Sequence, residues 1–332
     1  MACWAIVLIP GFSPAQEIKK LYEGDPIKAL LITGGCCHNY LLQTAKLTHG
    51  TEAFADVEWT IVNEGGKGTK AQIELYDDPD WAKPYDVVVH NECFANTADP
   101  DYIRKITKGH QAGVPAVVIH CAMHTYRAAK IDDWRQFLGV TSRHHEHQSK
   151  YPVKIVDEEH PTMKGFPKDW VTPKDELYIV EKLWPKARTL ATSVSEKTGE
   201  EQTVVWVNDF HGTRVFGTTY GHSDDTFRDP VFINLLARGL VWAADKGGAK
   251  PTARIYGEVQ SPGLVALSDR ANSLSLQEVV SRAGGFTGSA GAARVELLQN
   301  GVRKVIDLTE TTDPSIRVQA GDIIYVPQRF SD

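Results

Sequence analysis

Cysteine is scarce in this 332-residue chain: Cys3, Cys36, Cys37, Cys93 and Cys121 are the whole set. An odd number without C-x-x-C spacing indicates neither a disulfide framework nor a zinc ribbon. Small hydrophobes packed near strand ends are the plain reading, a reactive thiol the lesser one. A basic excess is lacking too. The formal net charge is −6, and without a basic stripe a nucleic-acid partner is not expected. No run is long and apolar enough to give a transmembrane segment. G-x-G-x-x-G, Walker A and H-E-x-x-H patterns are all absent, so neither nucleotide binding nor a zinc protease follows. There is no internal repeat and no low-complexity tract.

The N-terminus lacks charge from Ala2 to Ala15. Ser13 and Ala15 fit the small-x-small rule before a signal-peptidase cut ahead of Gln16. Residues 1–15 are therefore expected to be a signal-peptide remnant, implying a periplasmic or otherwise extracytoplasmic address. The missing basic n-region leaves a short buried strand as the alternative.

What the chain does have is a pattern of reactive residues just past apolar runs. Ile27–Thr33 runs into Gly34-Gly35-Cys36-Cys37-His38, Tyr85–Val89 into His90-Asn91-Glu92-Cys93, and Pro115–Ile119 into His120-Cys121-Ala122-Met123-His124. Short continuous apolar runs read as buried parallel strands, and ligands bind outside the carboxyl ends of such strands. One shared site is expected there. Val57–Val62 reads as a further strand, with helices over Asn39–His49, Pro100–Gln111, Asp132–Leu138 and Pro230–Ala243. This alternation predicts a doubly wound, mostly parallel sheet with helices on both faces. Strands are also expected at Val153–Val156, Leu177–Val180, Thr189–Thr192, Thr203–Val207 and Arg214–Thr219. His144-His145-Glu146-His147 looks like a metal cluster but reads as a solvated loop.

After a Gly/Lys/Pro linker (246–252) the texture changes. Strands at Arg254–Val259 and Leu264–Leu267, a helix at Ser275–Ala283, a hairpin across Asn300-Gly301 and a strand at Ile323–Val326 predict a small α+β module.

Two family resemblances follow from specific residues. Thr33-Gly34-Gly35…His38, Val118-Ile119-His120, His160-Pro161, Asp175-Glu176-Leu177-Tyr178 and Gly212-Thr213-Arg214-Val215-Phe216…Gly221-His222 together resemble the trehalose-utilisation (ThuA-like) family over about 27–245. That resemblance implies a flavodoxin-like, class I glutamine amidotransferase-like fold and a carbohydrate-related role on a sugar or keto-sugar. Tyr256-Gly257-Glu258-Val259…Pro262-Gly263, Ala283-Gly284-Gly285-Phe286 and Gly321-Asp322-Ile323-Ile324-Tyr325-Val326-Pro327 resemble the soluble-ligand-binding β-grasp (SLBB) family over 253–328. Such modules are common in bacterial polysaccharide export, so a sugar or polysaccharide ligand is the expected partner.

Several residues are candidates for the chemistry. The elbow at Cys121 lacks the Gly-x-Cys-x-Gly frame of amidotransferases, so His120 is the better acid/base candidate. Glu176 and His222 join it as catalytic candidates. Gly35, His38, Glu92, Tyr178 and Arg214 are candidates for substrate contact. Gly34-Gly35 before a helix suits an anion, Glu176 and Tyr178 share a strand face, and Arg214 is otherwise an ion-pair partner for Glu176. His38, His120 and His222 are also the candidate ligands for a divalent metal, though spacing alone does not assign one. The sequence names no cofactor. It leaves open an enzyme, a non-catalytic glycan-binding envelope protein on a degenerate scaffold, and a metal-dependent hydrolase.

Overall fold

A computed structural model describes residues 20–246, 252–267, 273–310, 313 and 315–329. The expected signal-peptide remnant lies outside these residues, as do positions 247–251 of the expected linker.

The N-terminal part runs β1 (Tyr22–Gly35), α1 (Tyr40–Glu52), β2 (Ala55–Asn63), β3 (Val87–Cys93), α2 (Pro100–Gln111), β4 (Ala116–Ile119) and α3 (Asp133–Leu138). It continues with β5 (Val140–Ser149), β6 (Lys154–Ile155), β7 (Asp175–Leu183), β8 (Ala187–Val194), β9 (Glu201–Phe210), β10 (Thr213–Thr218), α4 (Asp224–Arg228) and α5 (Pro230–Ala243). An 8-stranded sheet has the order β2-β1-β3-β4-β10-β9-β8-β6. From β2 to β10 every pairing is parallel, and β9, β8 and β6 extend it antiparallel. The expected parallel sheet is thus the ordered half of a mixed one.

The apolar runs explain the layering. Alternate residues of β1 point to opposite faces. Ile27, Ala29 and Leu31 pack with Leu47 of α1 and Phe232, Leu236 and Leu240 of α5. Leu30 and Ile32 pack with Ile103 and Ile106 of α2 and Phe137 of α3. Caps fix where the helices begin: Asp99 and Asp229 accept N-terminal amides of α2 and α5, each followed by proline, the residue that needs no amide partner there.

On α5, Gly239 lies flat against β10, where an added Cβ would stand 2.3 Å from the Phe216 ring. Gly239→Ala is expected to lower stability by about 1–3 kcal/mol through overpacking, despite alanine's better helix propensity. A denaturant midpoint no lower than wild type would contradict this contact.

Two expectations need correction here. The third strand does not stop at Val89 but runs on through Cys93, so His90 and Glu92 are buried strand residues and not loop residues. The His144–His147 run is not a loop either. It lies within β5, paired antiparallel with β7. The run is almost wholly polar, so it gave no apolar alternation by which to see a strand.

The C-terminal part is a separate small β-rich unit. Strands β11 (Thr252–Gly257), β12 (Gly263–Ala266), β14 (Val295–Gln299), β15 (Val302–Ile306) and β17 (Ile323–Val326) form a 5-stranded sheet, and β13 (Ser273–Ser275) pairs with β16 (Arg317–Gln319). Helix α6 (Leu276–Arg282) starts from a capping box between Ser275 and Glu278.

Candidate functional site

The site grows from the carboxyl ends of β1, β4 and β10, with β7 laid across them. After Ile119 the chain turns at once. His120 takes a left-handed φ of 45° and opens a short 3-10 turn to Met123. Such a conformation is uncommon for a side chain-bearing residue and frequent at functional sites. Pairing of β4 with β10 places Thr219 beside it, and Thr219 O lies 2.6 Å from His120 Nδ1. Gly221, at φ 130°, lets the next loop pass close, since a Cβ there would stand 2.9 Å from Ile119 and 3.2 Å from His120. That passage brings in His222. His38, from the end of β1, reaches the His222 carbonyl through Nδ1 at 3.2 Å.

Asp175 anchors this loop. Its buried carboxylate accepts hydrogen bonds from the backbone amides of Gly221 (3.1 Å) and His222 (3.2 Å) and from the Thr226 hydroxyl (2.5 Å). Burial raises its carboxyl to about 6, against the pull of these donors. One residue on, Glu176 turns to the histidines. Its Oε2 lies 3.2 Å from His222 Nδ1, 3.4 Å from His145 Nδ1 and 3.8 Å from His120 Nε2. Tyr178, on the same strand face, places its hydroxyl 3.1 Å from His120 Nε2. The ring of His124 stacks on Tyr178 at 3.9 Å.

The charges sort themselves by burial and partner. Burial, then the neighbouring His222, lowers His38 to about 4. Burial, then His38, pushes His120 well down. Burial would also lower His222, but its hydrogen bond and charge contact with Glu176 outweigh this, and the net shift is upward. In Glu176 burial pushes up and His222 more than reverses it, so the carboxyl is lowered. At neutral pH the site holds an ionised Glu176 carboxylate, with His38 and His120 kept neutral by burial.

Of the sequence candidates, His38, His120, Glu176, Tyr178 and His222 come together. The other three do not. Gly35 supplies no ligand surface. It sits at φ 95° where a Cβ would be 2.3 Å from the Cys93 carbonyl, so its role is the close approach of β1 to β3. Glu92 turns into the interior and meets His90 Nδ1 at 3.0 Å, while His90 Nε2 lies 3.0 Å from His110. Arg214 lies at the opposite end of β10, bonded to Asp245 and to the Trp242 carbonyl, far from any pairing with Glu176.

Sequence reasoning missed His145 and the anchoring role of Asp175. His145 is the most open member of the cluster, with 41% of its side chain exposed, against 10% for Glu176. The cysteines differ from expectation as well. Cys36 pairs with its neighbour Cys37, and Cys93 pairs with Cys121, 28 residues on, because the ends of β3 and β4 lie side by side. Cys36 and Cys93 Sγ lie 3.8 Å from each other beside the histidines.

A family model described as trehalose utilisation (ThuA) matches residues 45–243, and one described as an SLBB domain matches 252–326. A ThuA-like protein from Parabacteroides merdae is similar in structure, with 24% identity and TM-score 0.56 over 74% of this chain and 99% of that one. Another from Bacteroides uniformis has 18% identity and TM-score 0.52 over 70% and 95%. At these identities the likeness speaks for the fold alone. The human E3 ubiquitin-protein ligase DTX1 is 33% identical over 109 residues, which are 29% of this chain but only 17% of that protein.

Proposed function

This chain belongs to the ThuA family, described as trehalose utilisation, and from that membership we propose that it acts on a sugar or keto-sugar by proton transfer. The observation that carries this reading is the single carboxylate of Glu176 ringed by His120, His145 and His222. A carboxylate held ionised next to imidazoles suits removal of a proton beside a sugar carbonyl. His145, the most open of these residues, is the one exposed to meet a sugar hydroxyl. Sugar chemistry of this kind fits an extracytoplasmic address, and the two cysteine pairs fit an oxidising compartment.

The test is turnover. The full chain would be screened against trehalose, hexoses and their keto forms. With any converted substrate, Glu176→Gln is expected to lose at least about a hundredfold in kcat, the usual worth of a general acid or base. Equal turnover by wild type and variant would remove Glu176 from the chemistry.

A second reading, glycan binding without turnover, has one observation behind it. Tyr256 and Tyr325 are register partners on the open face of the C-terminal sheet, 37% and 42% exposed. Paired exposed rings suit stacking against a sugar. Sugar binding that survives Glu176→Gln and fails in Tyr256→Ala, with no turnover in wild type, would favour it.

A further inference from the structure

We infer that His38, His120 and His222, with Glu176, form a binding site for a divalent first-row metal ion such as zinc. The inference goes beyond the sugar reading and does not depend on it. It starts from a buried nitrogen with nothing to bond to. His38 Nε2 is buried without a hydrogen-bond partner, and His222 Nδ1 beside it has only the Glu176 carboxylate, 3.2 Å away. Buried polar atoms left so are rare and call for an unseen partner such as a water or an ion.

The opposite nitrogen of each ring explains which atom is available. His38 Nδ1 and His120 Nδ1 face the carbonyls of His222 (3.2 Å) and Thr219 (2.6 Å). A carbonyl only accepts, so both rings carry their proton on Nδ1 and their lone pair on Nε2. His222 Nε2 touches the Gln148 amide at 2.6 Å. The atom of Gln148 at that contact is the amide nitrogen, which donates, so the His222 proton sits on Nδ1 toward Glu176 and an ion would take its place. Metal-binding histidines are held as His38 and His120 are, with the far nitrogen donating to a carbonyl.

The candidate ligand atoms then converge. One donor atom from each of His38, His120 and His222 falls within 4.8 Å of the others. Glu176 Oε2 stands 3.2 Å from His222 Nδ1 and 3.8 Å from His120 Nε2. Ligands about 2.0–2.1 Å from one tetrahedral ion are spaced about 3.3 Å apart, so the carboxylate is already at that spacing from His222 and the rings need to close by up to about 1.5 Å. Three imidazoles and one carboxylate suit zinc and its first-row neighbours and not calcium or magnesium. The Tyr178 hydroxyl, which now meets the His120 lone pair, would give way to the ion.

Nearby sulfur offers the competing assignment, since His38 also lies within 4.8 Å of Cys93 and Cys121. The test separates the two. Full-length protein, treated with chelator and then titrated with zinc in a calorimeter, is expected to bind one equivalent. His38→Ala and His222→Ala should each weaken binding by at least about tenfold, while Cys93→Ser with Cys121→Ser should not. Cobalt reconstitution of wild type gives a readout free of folding concerns: visible bands of a nitrogen–oxygen shell are expected, without thiolate charge transfer. No stoichiometric zinc, or a cobalt spectrum dominated by thiolate charge transfer, overturns the inference. Zinc binding without sugar turnover would leave this site standing and sink the sugar reading. Sugar turnover in wild type that takes up no zinc would do the reverse.

Discussion

Asp175→Ala is expected to destabilise the protein by about 3–5 kcal/mol and to disperse the histidines even where the chain still folds. The carboxylate is fully buried. It accepts from the amides of Glu176 (2.7 Å), Gly221 (3.1 Å) and His222 (3.2 Å) and from the Thr226 hydroxyl (2.5 Å). Alanine leaves all four donors in a site that water enters poorly. Each unsatisfied buried group costs about 1–3 kcal/mol, and partial rehydration holds the total below their sum. The same bonds fix the loop carrying His222, so ligand binding should fall further than stability. Urea unfolding of wild type and variant gives the measurement, and a loss under about 1 kcal/mol would refute the anchoring role.

Acidification from pH 7 to pH 5 should cost about 3 kcal/mol from two histidines remote from the site. Burial, then the facing His90, sets His110 well below its ordinary value of 6.5. Burial, then Arg188, lowers His160 to about 4. Both are neutral in the fold and take up a proton on unfolding once the pH drops below 6.5. The stability they contribute is therefore whole above pH 6.5 and is lost as the pH falls toward the folded values. At pH 5 a fully buried histidine accounts for about 2 kcal/mol. His160, just under the surface near Asp157, counts for about half as much. His110→Phe, which keeps the stack on Phe137, should remove about 2 kcal/mol of the pH dependence. Unfolding curves at the two pH values that superimpose for wild type would contradict it.

The parallel half of the sheet was legible because its strands are unbroken apolar runs and its helices carry proline and aspartate at their starts. Pro100–Gln111 and Pro230–Ala243 match the expected helices to the residue. The site was legible in part for the same reason: His38, His120 and His222 follow strands. Glu176 and Tyr178 were readable as a pair on one face, but not their destination, which depends on β7 crossing to the histidines. Strand β5 was invisible because pairing, and not apolar alternation, makes it a strand. Glu92 misled because the apolar run ends at Val89 while the strand does not, and a His90–His110 contact compensates the buried polar groups beyond. Arg214 misled because the direction of β10 decides which end faces the site. The Cys93–Cys121 pair required knowing that the ends of β3 and β4 lie side by side.

The placement of β10 between β4 and β9 has a consequence for how the chain must be made. Strand β4 is complete at Ile119, yet its neighbour Thr218 in β10 leaves the ribosome only after roughly another hundred residues. At about 5–20 residues per second, that is a wait of some 5–20 s. Throughout it β4 offers an apolar, unpaired edge, the kind of edge that recruits other strands. The half-made chain is therefore the form most exposed to aggregation. Pauses in translation before residue 218 should lower soluble yield more than equal pauses after α5.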